Sequence, residues 1–271
     1  ACDRLDGVAD GILNDPRQCH FDAAVLTCKD TETDKCLTPS QVTALKKLYA
    51  GAHDASGQIF PGFLPGAEEG EGGWATWITG QAPGRALLFF FGNGYFANMI
   101  YEKADWNYKT ADLSEAIKAS DQKGAKILNA IDPDLAPFKN RGGRLIIYHG
   151  WNDPAISALS TVNYYKQVQS RMGAQSTDSF LRLYMVPGMQ HCGGGPGAAS
   201  FNIGEVQLAL EDWVEKGAAP SKLIAATKSA GTQQSETKIT RPVCPYPQAA
   251  KYKGTGDPNS AENFECVSGA R

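Results

Sequence analysis

The sequence predicts an α/β fold, and its second half carries the prediction. From about residue 140 onward, short apolar runs alternate with segments of helical period, in the order "GGRLIIYHG", "STVNYYKQVQSRMG", "SFLRLYMVPG" and "IGEVQLALEDWVEKG". Strands that alternate with helices are typical of βαβ units and a mainly parallel sheet. Apolar residues make up 42% of the chain and charged residues 20%, which is ordinary for a globular protein.

The first half is less regular. Residues 1–37 are irregular and contain several cysteines among Asp and Gly. A helix is predicted in "LTPSQVTALKKLYAG", because Thr38 and Gln41 form a capping box at its start and Gly51 follows its last apolar residues. Residues 52–108 are rich in glycine and aromatic residues without a clear period, and another helix is predicted from Leu113 to Ala119.

The two helices of the second half each have an apolar stripe that can pack against a sheet. The stripes consist of Val162, Tyr165, Val168 and Met172 in the first helix, and of Val206, Leu210 and Trp213 or Val214 in the second. In parallel sheets, functional residues lie in loops that leave the carboxyl ends of the strands. Here those loops are "HGWNDPAIS" and "PGMQHCGGG".

Charge and hydropathy exclude two classes of partner. The formal net charge is -3, so the chain has no basic surface of the kind that binds nucleic acid. The longest strongly apolar run, "ALLFFF", is far shorter than the roughly 20 residues needed to span a bilayer. We therefore expect neither a nucleic-acid partner nor a membrane partner.

The seven cysteines lie mostly in polar, loop-like contexts, which favours disulfides and an oxidising compartment. A secreted protein, extracellular or periplasmic, is therefore expected. Sequence does not fix the connectivity, but short local loops favour three pairs. These are Cys2 with Cys19, Cys28 with Cys36, and Cys244 with Cys266. Cys192 is left over, either as a free thiol or with a partner on another chain.

The two post-strand loops contain an acid and a histidine. Asp153 follows the first strand and His191 the second, so adjacent strands would bring the two side chains together. A carboxylate on Nδ1 leaves Nε2 of the imidazole free to act as a general base. A structural hydrogen-bonded pair is the alternative. The chain contains no Gly-x-Ser-x-Gly motif for a nucleophile. His149, at the end of the first strand, is predicted to have a structural role.

The opening stretch "CDRLDGVADGIL" concentrates carboxylates at Asp3, Asp6 and Asp10. Hard oxygen ligands at this density suit Ca²⁺, although the spacing is not that of an EF-hand. A solvated acidic turn is the alternative.

Aromatic residues are concentrated in "GGWATWITG" and "LLFFFGNGYFANMIY". Core packing explains most such residues, but a few could line an apolar pocket for a ligand. Ile156, three residues after the acid, is a further candidate for that pocket. The pocket candidates are Trp74, Trp77, Phe96 and Ile156.

Four motifs, in this order, resemble the tannase and feruloyl esterase family of α/β-hydrolases: "CDRLDGVADGIL", "CLTPSQVTALKKLYAG", "LIIYHGWNDPAIS" and "MVPGMQHCGGGPG". The resemblance covers nearly the whole chain. It implies a partial α/β-hydrolase fold in residues 136–271, formed by the C-terminal strands and helices of a mainly parallel sheet. Residues 1–135 would form a large, irregular α+β lid domain with a calcium loop and a substrate-covering aromatic region.

The resemblance also assigns the site residues. Asp153 and His191 match the acid and the histidine of a serine esterase triad. Cys192 matches a cysteine that forms a disulfide with the residue before the nucleophilic serine. The Cys-Ser half is absent, so it is expected on a missing N-terminal segment or chain that is linked through Cys192. A structural Ca²⁺ would be held by the side chains of Asp3, Asp6 and Asp10 and by the carbonyl oxygens of Val8 and Ile12.

The function implied is that of a serine carboxylic ester hydrolase of the tannase or feruloyl esterase type. Its small-molecule substrate would be an aromatic ester with a hydroxycinnamoyl, galloyl or terephthaloyl group. The isolated chain is expected to be inactive because it lacks the serine. The alternative is a non-catalytic, calcium-stabilised binding module, or a truncated relative that has lost the nucleophile.

Overall fold

The computed structural model describes residues 2–29, 31, 33, 35–70, 72–227 and 239–268. The first part of the chain is built from short elements joined by long loops. Two 3₁₀ turns open it, Pro16–Gln18 and Ala23–Leu26. The helices and strands that follow are α1 (Pro39–Ala50), β1 (Gly51–Asp54), β2 (Gly57–Pro61), α2 (Trp74–Trp77), α3 (Leu87–Gly94) with a π-helical continuation (Tyr95–Ile100), α4 (Leu113–Lys123), α5 (Ala125–Leu128) and α6 (Ala136–Asn140).

The second part is more regular and alternates strands with helices, as the sequence predicts. Its elements are β3 (Leu145–Gly150), α7 (Ala158–Met172), α8 (Ala174–Asp178), β4 (Leu181–Val186), β5 (Ser200–Phe201), α9 (Ile203–Lys216), β6 (Leu223–Ala226), β7 (Thr240–Val243), β8 (Gln248–Tyr252), the 3₁₀ turn Ala261–Asn263 and β9 (Phe264–Ser268).

The predicted helix boundaries of α1 and α7 follow from local chemistry. Thr38 and Gln41 form the predicted capping box, in which each side chain bonds to the other residue's backbone N–H. Gly51 ends α1 with a φ of 86°, a conformation that suits glycine. Gly173 ends α7 in the same way. The helix predicted from Leu113 to Ala119 is longer than expected and extends to Lys123.

β3 and β4 form a parallel pair, with Leu145 opposite Leu181 and Gly150 opposite Val186. The expectation of a mainly parallel sheet is otherwise wrong for the described residues, because the pairings of β1 with β2, of β5 and β7 with β6, and of β8 with β9 are all antiparallel. β3 and β4 are joined by a crossover that contains α7 and α8, as parallel strands require, whereas a tight turn joins the antiparallel strands β1 and β2.

The core lies on both faces of β4. Leu181 and Leu183 point toward α7, where Val162, Tyr165 and Val168 are buried as predicted. Alternate residues of β4, including Tyr184 and Val186, pack on the opposite face. This two-sided burial explains why β4 reads as a continuous apolar run rather than an alternating one.

Other apolar surface remains exposed. β3 is only half-buried over Leu145–His149, and among the described residues no strand pairs with its second edge. On α9 only Trp213 is buried, whereas Ile203, Leu208 and Val214 are exposed. The predicted stripe of α9 is therefore covered mainly at Trp213. No helix in the described ranges combines the length and the apolar character that crossing a bilayer demands.

The core position of Leu183 gives a stability prediction. Leu183→Ala should lower the free energy of unfolding by about 2–5 kcal/mol, because the side chain is fully buried and its loss leaves a cavity between β4 and α7. Denaturant unfolding followed by circular dichroism measures the change. Leu208→Ala is the matched control, since Leu208 is 61% exposed and should change stability little. Equal losses in the two variants would contradict the described core.

Candidate active site

The parallel pairing of β3 and β4 brings the predicted acid and histidine together. The loops that follow the two strands leave the same edge of the sheet, and the Nδ1 atom of His191 lies 3.0 Å from Oδ2 of Asp153. Asp153 is buried, while the His191 side chain is 29% exposed. Among the described residues, Nε2 of His191 has no hydrogen-bond partner. The imidazole is therefore oriented by the carboxylate and open on its other side.

The carboxylate of Asp153 is held by four N–H groups. Oδ1 accepts hydrogen bonds from the backbone N–H groups of Ala155 and Ile156, at 2.8 and 2.9 Å. Oδ2 accepts from His191 and from Nε2 of His149, the latter at 3.2 Å. Burial alone would raise the pKa of Asp153, but these hydrogen bonds together hold it below its usual value. Asp153 is thus ionised at neutral pH.

The contact that His149 makes with Asp153 is not predicted from the sequence. The sequence predicts a structural role at the end of a strand, and the ring is indeed hydrogen-bonded on both nitrogens. One of those bonds, however, goes to the same oxygen of Asp153 that His191 uses. The spacing of four residues between His149 and Asp153 was the only available signal for this contact.

The two loops are interlocked directly behind the pair. Gly150 ends β3 against the backbone of the second loop, and a Cβ atom there would overlap the carbonyl oxygen of Met189. The backbone N–H of Asn152 donates to that same carbonyl, at 3.1 Å. Glycine is therefore required at position 150 for the loops of Asp153 and His191 to approach each other.

Three side chains of these loops attach residues 62–69 of the first part of the chain. Asn152 donates to the carbonyl oxygen of Gly66, Ser157 Oγ to that of Gly62 at 2.6 Å, and Gln190 Nε2 to that of Glu69 at 3.1 Å. All three side chains are buried polar groups that have found backbone acceptors. The segment that leads into α2 is thereby fixed relative to the Asp153–His191 pair.

Of the four predicted pocket residues, Trp77 contacts the ring of His191. Its ring meets the His191 ring edge-on, with centroids 4.7 Å apart, and stacks with Phe91 at 6.4 Å. Ile156 is 47% exposed and lies in the loop of Asp153. Trp77 and Ile156 therefore both adjoin the Asp153–His191 pair.

The other two predicted pocket residues lie elsewhere. Trp74 is buried against Tyr49, and its indole Nε1 has no hydrogen-bond partner in the described part of the chain. Phe96 stacks on Trp106 at 5.0 Å and contacts Tyr95 in a separate aromatic cluster. Trp74 lines a mainly apolar cavity of about 770 Å³ that does not include His191.

A second cavity, of about 390 Å³, lies directly beside the histidine. Its lining includes His191, Cys192, Tyr148 and Ser200. Cys192 is an exposed free thiol with a φ of 62°, a left-handed conformation that is uncommon for a residue with a side chain. The three disulfides that the sequence favours are all present, namely Cys2–Cys19, Cys28–Cys36 and Cys244–Cys266. The histidine and the unpaired thiol therefore face one open space.

The acidic loop predicted to bind calcium packs beneath the histidine loop, with the side chain of Ile12 against Gly188 and Gly197. Its carboxylates accept backbone N–H groups of the same loop: Asp3 from Asp10 and Gly11, Asp6 from Val8 and Asn14, and Asp10 from Ile12. Asp10 also accepts a hydrogen bond from Arg241. No group of three or more His, Cys, Asp or Glu side chains in the described residues is arranged to hold a metal ion.

The three carboxylates of this loop nevertheless interact. Burial raises the pKa of Asp6 above its ordinary value, and the negative charges of Asp10 and Asp3 add to the rise, against the lowering effect of two backbone hydrogen bonds. Oxygen donors of this kind have the chemistry that Ca²⁺ prefers. The donor set thus fits a hard cation, although its side chains point to backbone donors in this structure.

Known proteins match this sequence over nearly its whole length. The sequence model of the family "Tannase and feruloyl esterase" matches residues 1–267. The chain is 35% identical to an uncharacterized esterase of Xanthomonas campestris pv. campestris. The alignment is 308 residues long and covers 100% of this chain and 53% of that protein. It is 33% identical to the mono(2-hydroxyethyl) terephthalate hydrolase of Piscinibacter sakaiensis, over 98% of this chain and 49% of that protein.

Two solved structures have a similar fold. The crystal structure of feruloyl esterase B from Aspergillus oryzae superposes with a TM-score of 0.84 at 29% identity, over 98% of this chain and 54% of that one. The fold also matches the tannin acyl hydrolase of Aspergillus niger, with a TM-score of 0.74 at 22% identity, over 98% and 51% of the two chains. Both neighbours are consistent with an α/β-hydrolase type fold. The chain spans about half the length of the curated relatives it matches. It belongs to the tannase and feruloyl esterase family.

Proposed function

We propose that this chain supplies the acid and the histidine of a serine esterase active site, and that the nucleophilic serine lies on an N-terminal segment or chain of the complete protein. The observation that carries the proposal is the Asp153–His191 pair, in which Nδ1 is bound by a buried carboxylate and Nε2 is open. Nε2 is the atom that a general base in such a triad uses. Membership of an esterase family supports the same reaction class.

The proposed mechanism uses each feature of the pair. Nε2 of His191 takes the proton of the serine hydroxyl as the serine oxygen attacks the ester carbonyl, and returns that proton to the leaving alcohol. A water molecule then releases the acyl group by the same route. Asp153 keeps His191 in the required tautomer and stabilises the imidazolium, and its lowered pKa keeps it ionised. Backbone N–H groups near the serine would stabilise the oxyanion.

Three features support a second segment at this site. Among the described residues, β3 has an unpaired edge although its residues are apolar. A cavity of about 390 Å³ adjoins His191. Cys192, directly after the histidine, is exposed and unpaired beside three formed disulfides. A segment carrying Cys-Ser would pair with Cys192, fill the cavity and place the serine at His191.

The substrate of the complete enzyme is proposed to be an aromatic ester, with a hydroxycinnamoyl, galloyl or terephthaloyl group. Trp77 provides an aromatic wall that touches His191, and Phe91 extends it. Ile156 offers an exposed apolar side chain on the loop of Asp153. Flat aromatic groups stack favourably on such rings. The named activities of relatives, feruloyl ester, tannin and mono(2-hydroxyethyl) terephthalate hydrolysis, support this class.

The complete enzyme is further proposed to be secreted, extracellular or periplasmic, because three disulfides persist in oxidising compartments. We also propose a structural Ca²⁺ at the acidic loop, held by the side chains of Asp3, Asp6 and Asp10 and by the carbonyl oxygens of Val8 and Ile12. Such an ion would neutralise the repulsion among the carboxylates. Its position beneath the loop of His191 supports a stabilising role.

The first prediction from the proposed function concerns catalysis. The 271-residue chain alone should not hydrolyse a hydroxycinnamoyl methyl ester, whereas the complete protein should. In the complete protein, Asp153→Asn should lower kcat by roughly 10⁴-fold, because the histidine loses the tautomer that its role requires. His53→Gln is the control, since His53 is exposed and distant in sequence from the pair. A fluorophosphonate probe that labels a serine of the 271-residue chain would refute the missing-serine proposal.

The second prediction concerns Cys192. In the complete protein, peptide mapping without reduction should find Cys192 cross-linked to a cysteine next to the serine that the fluorophosphonate labels. A shift of about 1 Å at a catalytic group can cost roughly a hundredfold in rate, so Cys192→Ser should reduce activity. Alkylation of Cys192 in the unreduced, active protein would show a free thiol and contradict the proposed link.

The third prediction concerns calcium. Thermal unfolding temperature should rise with Ca²⁺ concentration, because a ligand that binds only the folded state stabilises it. Asp6→Asn should abolish this rise, while Asp105→Asn, an exposed carboxylate outside the loop, should preserve it. Metal analysis after dialysis without chelator should find the ion in the parent and the control. An unfolding temperature independent of Ca²⁺ would contradict the site.

A further inference from the structure

Two imidazole rings share one oxygen of the catalytic acid. Oδ2 of Asp153 lies 3.0 Å from Nδ1 of His191 and 3.2 Å from Nε2 of His149. The mechanism above uses only the first of these contacts. His149 is largely buried, with 12% of its side chain exposed, so its polar atoms need partners within the protein.

The partners of His149 define where its proton lies. Nε2 faces two acceptors, Oδ2 of Asp153 and the carbonyl oxygen of Ile156, both at 3.2 Å, so Nε2 must carry hydrogen. Nδ1 lies 2.6 Å from the hydroxyl of Thr161, which can donate to it. His149 can therefore donate to Asp153 while remaining neutral, and Thr161 favours that tautomer.

Because His149 is a neutral donor, Asp153 keeps its negative charge, but its Oδ2 atom is shared between two N–H groups. An oxygen that accepts two N–H groups is a weaker partner for each than an oxygen that accepts one. Oδ1 is already bound by two backbone N–H groups, so the carboxylate cannot rotate to give His191 a different oxygen without losing those bonds. The strength of the contact between Asp153 and His191 thus depends on His149.

We propose that His149 is a positioning residue for the catalytic pair, which holds Oδ2 of Asp153 in place and, by sharing that oxygen, limits the strength of its hydrogen bond to His191. Its relevance to catalysis rests on the function proposed above, whereas the hydrogen-bond network can be measured in this chain alone. Two further ionisable groups, those of Cys192 and Tyr148, line the cavity beside His191. Neither has a hydrogen bond to Asp153.

Nuclear magnetic resonance of the 271-residue chain tests this directly, since the chain has only four histidines whose ring nitrogens and ring N–H protons must be told apart. His149→Leu removes the second donor, so the whole of Oδ2 becomes available to His191, and the Nδ1–H proton resonance of His191 should move downfield as its hydrogen bond to Asp153 strengthens. His149→Gln retains an N–H donor and should leave that resonance close to its parental position. His53→Gln, at an exposed histidine, is the control and assigns one resonance.

A His191 Nδ1–H resonance that is unchanged or moves upfield in His149→Leu, or that moves equally in both His149 variants, would overturn the proposal. A second measurement applies if His149→Leu does not fold. In the parent chain near neutral pH, the ring of His149 should carry its proton on Nε2, and a proton on Nδ1 alone would overturn the proposal. Neither result depends on ester hydrolysis, so an inactive complete protein would refute the proposed function without affecting this test.

Discussion

The parallel pairing of β3 with β4 is the constraint on which the candidate site depends. The register sets Gly150 opposite Val186, so both strands end at one level and their loops emerge side by side. The absence of a side chain at Gly150 lets the backbone of Met189 pass close to the strand end. A slip of one residue would exchange the two faces of β4, so that Leu183 and Tyr184 would each lose the side chains they pack against. Burial of β4 on both faces therefore also secures the geometry of Asp153 and His191.

Within that frame the acid is preorganised. Each oxygen of Asp153 accepts two N–H groups, and all four come from β3 or from the loops that follow β3 and β4. A buried carboxylate that is fully hydrogen-bonded is stable as an anion and does not need water to solvate it. The cost of arranging these dipoles is met during folding, so the proposed mechanism, in which His191 becomes positively charged, would need little reorganisation.

The same loops attach the aromatic region. Asn152, Ser157 and Gln190 each donate from a buried side chain to a backbone carbonyl of residues 62–69. That segment leads into α2, which carries Trp77 to its edge contact with His191. The ring of Trp77 and the ring of His191 are thus fixed to one another through a few hydrogen bonds. By contrast, within the described residues β3 has an unpaired edge and Cys192 has a free, exposed thiol.

Structural features that depend on local pattern could be predicted from the sequence. Apolar periodicity predicted β3, α7, β4 and α9, the capping box at Thr38 predicted the start of α1, and short loops predicted the three disulfide pairs. Asp153 and His191 could be placed together because the ends of adjacent parallel strands meet. The packing of the folded chain decided that His149 bonds to Asp153, that Trp77 contacts His191 while Phe96 stacks on Trp106, and that most strand pairs among the described residues are antiparallel. These features join residues across turns or far apart in the chain, and only the packing of the folded chain sets their distance and orientation.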